Sequence, residues 1–196
     1  RRVISYAIDR EADYRAADIE THGSIISFTV FERGAELGRI SLNIPGRHNV
    51  LNALACIAVA RLADVSFAQI QDALAGFHGA KRRFQTKGKE RGIWVVDDYA
   101  HHPTEIAVTL TAARATNPKR LICVFQPHRY SRTNLLRTEF GACFAAADLL
   151  LLTDVYAAGE APIPGVSGET LMEEVAKQTG QDAVYLPERA DLERYL

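Results

Sequence analysis

Val95-Val96-Asp97-Asp98-Tyr99-Ala100-His101-His102-Pro103-Thr104-Glu105-Ile106 is the stretch on which the reading of this chain turns. An apolar run closes on two carboxylates. A tyrosine, two histidines and a proline follow, and residues of helical spacing then begin. Proline has no N–H to donate, and its fixed φ suits the first position of a helix. The order therefore predicts a buried strand, a tight turn and a helix opening at Pro103. In an open α/β sheet the carboxyl ends of the strands are where ligands bind. Packing alone requires none of the acids, imidazoles and phenol gathered here, so the stretch marks a candidate site.

Toward the C-terminus the pattern repeats. Residues 103–115 read as a helix, 121–125 (Leu-Ile-Cys-Val-Phe) as a strand, 135–147 as a helix and 149–152 (four leucines) as a strand. Residues 168–179 read as a helix, 183–186 as a strand and 187–196 as a last helix. Short, wholly apolar runs are typical of strands buried on both faces. Alternation at this spacing predicts an α/β fold: a Rossmann-like, mostly parallel sheet with helices on both faces. The loops that leave the apolar strands are polar: Asp98 to His102, Gln126-Pro127-His128-Arg129-Tyr130-Ser131-Arg132, and Thr153 to Glu160. In one parallel sheet they open on one edge. Arg129 and Arg132 fit one face of a helical turn and, with His128, offer a site for a carboxylate or phosphate. The plain structural alternative is that they cap the helix or pair with Asp154 and Glu160.

Toward the N-terminus the chain is β-rich. Residues 24–33 and 37–42 read as strands joined by a turn at 34–36, with further strands at 4–8 and 14–19. Pro45-Gly46 breaks the chain. Val50, Leu51, Leu54, Ile57, Ala58 and Leu62 then recur at helical spacing over 48–62. A second helix fits 67–74 and ends at Gly76-Phe77-His78-Gly79. Asn49 suits an N-cap. Asn52 lies one turn on, on the same face, where asparagine is a poor helix former. Two carboxamides offer paired donors and acceptors to the edge of a planar heterocycle. Spacing leaves capping and ligand recognition equally open. Lys81-Arg82-Arg83-Phe84 is a basic cluster at the expected domain boundary, either a solvated face or a bidentate grip on phosphate. Residues 84–87 and 93–97 flank 88–92 as a second hairpin.

The bulk numbers narrow the field. The 196 residues make one large domain or two small ones, and a formal net charge of -1 predicts no nucleic-acid or membrane partner. No run approaches the ~20 apolar residues of a membrane span. Cys56, Cys123 and Cys143 lie in apolar runs without a CxxC pair, as expected of small buried side chains in a reducing compartment, the cytoplasm. The opening on Arg1-Arg2-Val3, without an initiator methionine, is expected of the interior of a longer protein. Neither G-x-x-x-x-G-K-[ST] nor G-x-G-x-x-G occurs, and there is no G-x-S-x-G elbow. The adjacency of His101 and His102, without HExxH or a cysteine cluster, argues against a dedicated metal site. Oligomeric state is not fixed by the sequence.

Residues 45–53 (Pro-Gly-Arg-His-Asn-Val-Leu-Asn-Ala), Arg82-Arg83-Phe84, 97–105 (DDYAHHPTE), 125–133 (FQPHRYSRT) and 154–160 (DVYAAGE) resemble the Mur ligases, in the family's order and over nearly the whole chain. The resemblance implies three domains: a UDP-binding domain, a central ATPase and a C-terminal Rossmann-like domain. Residues 1–80 would be the end of the central ATP-binding domain, hairpin and helices, and 81–196 the amino-acid-binding domain. The family's P-loop, its Mg2+-binding residues and its UDP-sugar domain would lie upstream, so the chain alone is expected to be inactive. Within the family the strings are most similar to the member that joins L-alanine to UDP-N-acetylmuramate in peptidoglycan precursor synthesis. There, ATP phosphorylates the muramoyl carboxylate, the amine of L-alanine attacks the acyl phosphate, and phosphate leaves.

By the same resemblance the cofactors are ATP and Mg2+. His48, Asn49 and Asn52 would lie at the adenine, Arg83 at the γ-phosphate and Asp98 at the ribose. Tyr99, His101, His128, Arg129 and Arg132 would face the alanine and the acyl phosphate. Phosphoryl transfer is mostly positioning and charge neutralisation, which arginine supplies, and a neutral imidazole suits removal of the amine proton. Readings of other classes stay open: a non-catalytic ligand-binding module on the same sheet and, more weakly, a metal hydrolase using Asp98 and the two histidines.

Overall fold

Alternation of large apolar and small or polar residues sets the first sheet. A computed structural model describes residues 3–196, apart from the side chain of Arg189. Strands β1 (Tyr6–Ala7), β2 (Tyr14–His22), β3 (Ile25–Glu32) and β4 (Ala35–Leu42) lie side by side in that order. β1 runs parallel to β2, and the other pairs are antiparallel. Successive side chains of a strand point to opposite faces, so Ile26, Phe28 and Val30 of β3 share a face with Ile40 and Leu42 of β4, all buried. Two helices close over that face, α1 (Arg47–Leu62) through Val50, Leu54 and Ile57, and α2 (Phe67–Ala75) through Ile70 and Leu74. A capping box between Ser66 and Gln69 starts α2.

The second hairpin is present, as β5 (Gln85–Glu90) and β6 (Ile93–Asp97). Its turn is tighter than the 88–92 expected. Arg91 and Gly92 both have positive φ, 50° and 79°, which suits a two-residue hairpin turn. The expectation of a buried strand at 93–97 is corrected. Among the described residues β6 pairs with β5 alone, and Ile93 and Val95 are 66% and 53% exposed. β-branched residues favour the extended backbone, but that preference does not decide whether a second layer covers them.

The strand–helix alternation then follows: α3 (Pro103–Ala115), β7 (Ile122–Phe125), α4 (Tyr130–Leu135), α5 (Arg137–Cys143), β8 (Leu149–Leu152), α6 (Gly168–Thr179), β9 (Ala183–Tyr185) and α7 (Arg189–Tyr195). β7, β8 and β9 form an all-parallel sheet with β8 central, its leucines buried on both faces. Ile106 and Leu110 of α3, Phe140 of α5, and Leu171 and Val175 of α6 pack with Leu150 and Leu152. The helix expected over 135–147 begins earlier and is divided at Leu136, which leaves the helical path at φ -106°. Beyond that bend, Phe140 and Phe144 meet Phe125 of β7 at 5.7 and 5.2 Å between ring centroids.

These elements form two compact units. One holds the described residues up to Tyr99 together with Ala115–Asn117; the other holds Ala100–Arg114 and Pro118–Leu196. Each has its own hydrophobic core. The α/β fold with a parallel sheet is found in the second unit, and the hairpin with its covering helices in the first.

Candidate functional site

In the first unit the polar residues gather at the start of α1. The N-cap is Gly46, at φ 105° and ψ 134°, a conformation open to glycine and strained for other residues. Asn49 therefore does not cap the helix, which corrects that option. It lies inside the first turn, where its Nδ2 donates to the Pro45 carbonyl at 2.7 Å. Asn52 Nδ2 approaches Asn49 Oδ1 at 3.4 Å, so the two carboxamides lie side by side. His48 Nδ1 is buried with no hydrogen-bond partner in the structure. Burial lowers the His48 pKa; the Asp98 carboxylate opposes this, and the Arg83 guanidinium reinforces it. A buried ring nitrogen without a partner is costly and fits a place that a ligand completes. A recess of about 300 Å³ lies beside this turn, lined by Tyr6, Ala7, Ile8, Asp9, Arg10 and Leu51.

The basic cluster is held in an unusual backbone. Arg82 and Phe84, on either side of Arg83, have φ of 57° and 47°, uncommon for residues with a Cβ. Phe84 N donates to Asp98 Oδ2 at 2.7 Å, and Tyr99 N donates to the Arg82 carbonyl at 2.7 Å. The Arg82 and Arg83 guanidiniums lie 4.8 and 5.8 Å from the Tyr99 ring centroid, within cation–π range. Asp97 Oδ2 stands 3.6 Å from Arg82 Nε and 3.5 Å from Lys87 Nζ. Tyr99, expected to face the alanine with His101, His128, Arg129 and Arg132, lies in the first unit against Arg82 and Arg83.

In the second unit the loops after β7 and β8 are joined. Arg129 N donates to the Tyr156 carbonyl at 2.9 Å and Tyr156 N to the Pro127 carbonyl at 2.8 Å. The His128 ring lies 5.3 Å from that of Tyr156. His128 Nδ1 is buried and without a hydrogen-bond partner. Its pKa is lowered, first by burial and then by the charges of Arg132, Arg129 and His101. The imidazole is therefore neutral at neutral pH. Arg129 is the N-cap of α4 at φ 75° and ψ 131°, a conformation that costs free energy and is commonest at functional sites. Its Nη1 is 3.8 Å from Glu160 Oε1, and Glu160 also accepts from Ser131 N at 2.9 Å and Ser131 Oγ at 2.6 Å. Those Ser131 bonds are the main cause of the lowered Glu160 pKa. The pairing alternative is thus met in part, by Glu160. Asp154 instead accepts from Val155 N and Gly168 N.

His101 and His102 have different surroundings. His102 caps α3: its Nδ1 accepts from Thr104 N at 3.3 Å. Glu105 Oε2 accepts from His101 N at 3.1 Å and His102 N at 3.3 Å, and stands 3.5 Å from His101 Nδ1. Glu105 was not among the residues singled out from the sequence. Its place three residues after the cap is the signal that points to it. Among the described residues no group of His, Cys, Asp and Glu is arranged to hold a metal ion, and no helix is long and apolar enough to cross a membrane.

Comparison with known proteins gives a consistent picture. The family model described as "Mur ligase, glutamate ligase domain" matches residues 82–196, and "Mur ligase middle domain" matches residues 1–60. The UDP-N-acetylmuramate–L-alanine ligase of Trichlorobacter lovleyi is 52% identical over 197 residues, covering 100% of this chain and 43% of that protein. The chain thus spans about two-fifths of the length of the curated relatives it matches. The solved UDP-N-acetylmuramate-alanine ligase of Thermotoga maritima superposes with a TM-score of 0.81 at 28% identity, covering 98% of this chain and 41% of that one. A murein peptide ligase from Psychrobacter arcticus gives a TM-score of 0.62 at 27% identity, covering 97% of this chain and 39% of that one.

Proposed function

Because this chain belongs to the Mur ligase family, we propose that it serves an ATP-dependent ligase that joins L-alanine to UDP-N-acetylmuramate in cytoplasmic peptidoglycan precursor synthesis. Residues 1–80 supply the end of the central ATP-binding domain and 81–196 the amino-acid-binding domain. The gap between the two family matches supports a boundary near residue 80. The compact units divide later, at Tyr99, because the β5–β6 hairpin groups with the first.

The observation that carries this reading is the buried, unpartnered Nδ1 of His128 with Arg129 and Arg132 acting on the same ring. Two guanidiniums beside an uncharged imidazole suit an amino acid, which brings a carboxylate to be held and an amine to be deprotonated. Arg129 and Arg132 hold the carboxylate and the charge that builds on the acyl phosphate. His101 and His128 face the amine. In the first unit the orphaned His48 Nδ1 and the paired Asn49 and Asn52 amides fit an adenine edge. Arg83 serves the γ-phosphate and Asp98 the ribose of ATP. Mg2+, when bound, neutralises phosphate charge. Asp97 is taken up by Arg82 and Lys87, and Asp98 Oδ2 by Phe84 N, so these two carboxylates do not suit that ion.

The test is a ligase assay of the full-length protein. ADP should form only with both the nucleotide sugar and L-alanine present. Arg129→Ala should lower kcat/KM by roughly 100-fold or more, the scale of losing a group that stabilises transition-state charge. Near-normal turnover of that variant would remove the role assigned to Arg129.

A further inference from the structure

We infer that Glu105 is the positioning residue of the second unit: its carboxylate fixes the tautomer of His101 so that Nε2 carries the lone pair for the incoming amine. Three observations meet at one atom. Glu105 Oε2 accepts from the backbone of His101 at 3.1 Å and of His102 at 3.3 Å, and stands 3.5 Å from His101 Nδ1. The first two contacts are the reciprocal half of a capping box, with His102 as the cap. They fix the carboxylate on the rigid first turn of α3. The third is an ion-pair distance, longer than a formed hydrogen bond, and catalytic pairs are often long before substrate binds.

A carboxylate accepts and cannot donate. Facing Nδ1, it favours the tautomer with the proton on Nδ1 and leaves Nε2 bare, the arrangement used wherever an acid orients a histidine base. His101 is near enough to His128 to act on it electrostatically. Arg132, Arg129 and Glu160 act on His128, and Glu105 stands against His101. In the step, the amine nitrogen bonds to the acyl carbon and the C–O bond to phosphate breaks, its electron pair leaving with the phosphate. The proton shed by nitrogen passes to His101 Nε2 and from there to solvent. The tautomer assignment stands on geometry alone; the proton transfer rests on the ligase reading above.

Glu105→Gln separates the roles: the carboxamide oxygen still accepts the two backbone N–H bonds, while the lost charge weakens the preference for a proton on Nδ1 and the amide NH2 can donate to a bare Nδ1. ¹⁵N NMR of the His101 ring, recorded on this chain in mildly alkaline buffer, is expected to show a bare Nε2 in the unaltered protein. In Glu105→Gln it should show a mixture, with an unchanged melting temperature. A protonated Nε2 in the unaltered chain, or the same tautomer in both, overturns the positioning role whatever the protein catalyses. In the full-length ligase, Glu105→Gln should lower kcat by roughly 10- to 100-fold with little change in KM for ATP, and Glu105→Asp should restore part of it. His102→Asn, which keeps a good cap, should leave turnover intact. A shifted tautomer with normal kcat overturns the use of His101 as the base.

Discussion

At the residue scale, the two orphaned imidazoles define how the protein responds to pH. His48 and His128 both have pKa values lowered from 6.5, chiefly by burial. Their folded values lie below their unfolded ones, so the native state binds fewer protons than the unfolded chain across that interval. Stability is therefore fully present above about 6.5 and declines as pH falls from there through the folded values. Hydrogen bonds hold the carboxyls of Asp13, Glu32, Asp148 and Glu160 below the usual carboxylate range, so their losses come at lower pH. The urea midpoint should fall between about pH 7.5 and pH 5.5. Replacing His48 and His128 together by Gln should remove much of that fall, and an undiminished fall would show that other groups carry it. The residue types were legible in the sequence; these environments were not. His128, Arg129 and Arg132 can be picked out by their spacing and chemistry. The positive φ of Arg129 and the burial of His128 Nδ1 depend on Tyr156 and on the chain passing beside it. Asn49 reads as a cap because capping statistics favour asparagine, yet Gly46 takes that place since its backbone geometry suits glycine.

At the element scale, the clearest demand is where α6 meets the end of β8. A Cβ added to Gly168 would lie 2.2 Å from the Thr153 carbonyl oxygen. That oxygen belongs to the backbone, so the clash cannot be relieved by a rotamer change. Gly168→Ala should cost about 3 kcal/mol, the upper part of the range for overpacking. Ser167→Ala, which removes the cap on Thr170 N, should cost about 1 kcal/mol. Urea melts of the two variants should keep that order; equal losses would mean the helix end shifts freely. The elements themselves were mostly legible: α3, β8 and α6 occupy the residues their patterns predict. What a pattern carries is local, the period of apolar residues and the end signals. It does not carry burial, so β6 was placed correctly as a strand and wrongly as a covered one. Nor does it show a bend such as that at Leu136, whose consequence, the meeting of Phe140 and Phe144 with Phe125, is tertiary.

At the scale of the whole molecule, the candidate residues are shared between two bodies, each with its own core. His48, Asn49, Asn52, Arg83, Asp98 and Tyr99 belong to the first unit, and His101, Glu105, His128, Arg129 and Arg132 to the second. The DDYAHH string, read as one motif, thus straddles the division. Separate cores imply separate cooperative openings, since local unfolding follows contiguous packed units. Phe28 is fully buried in the first core and Phe140 is 1% exposed in the second. Truncating either to alanine should cost about 3–5 kcal/mol. In native-state hydrogen exchange, Phe28→Ala should speed the amides of β3, β4 and α1 while leaving β8 and α6 slow. Phe140→Ala should do the reverse. If either variant accelerates both sets equally, the chain opens as a single cooperative unit, and the assignment of nucleotide and amino-acid roles to independently folded bodies loses its physical basis.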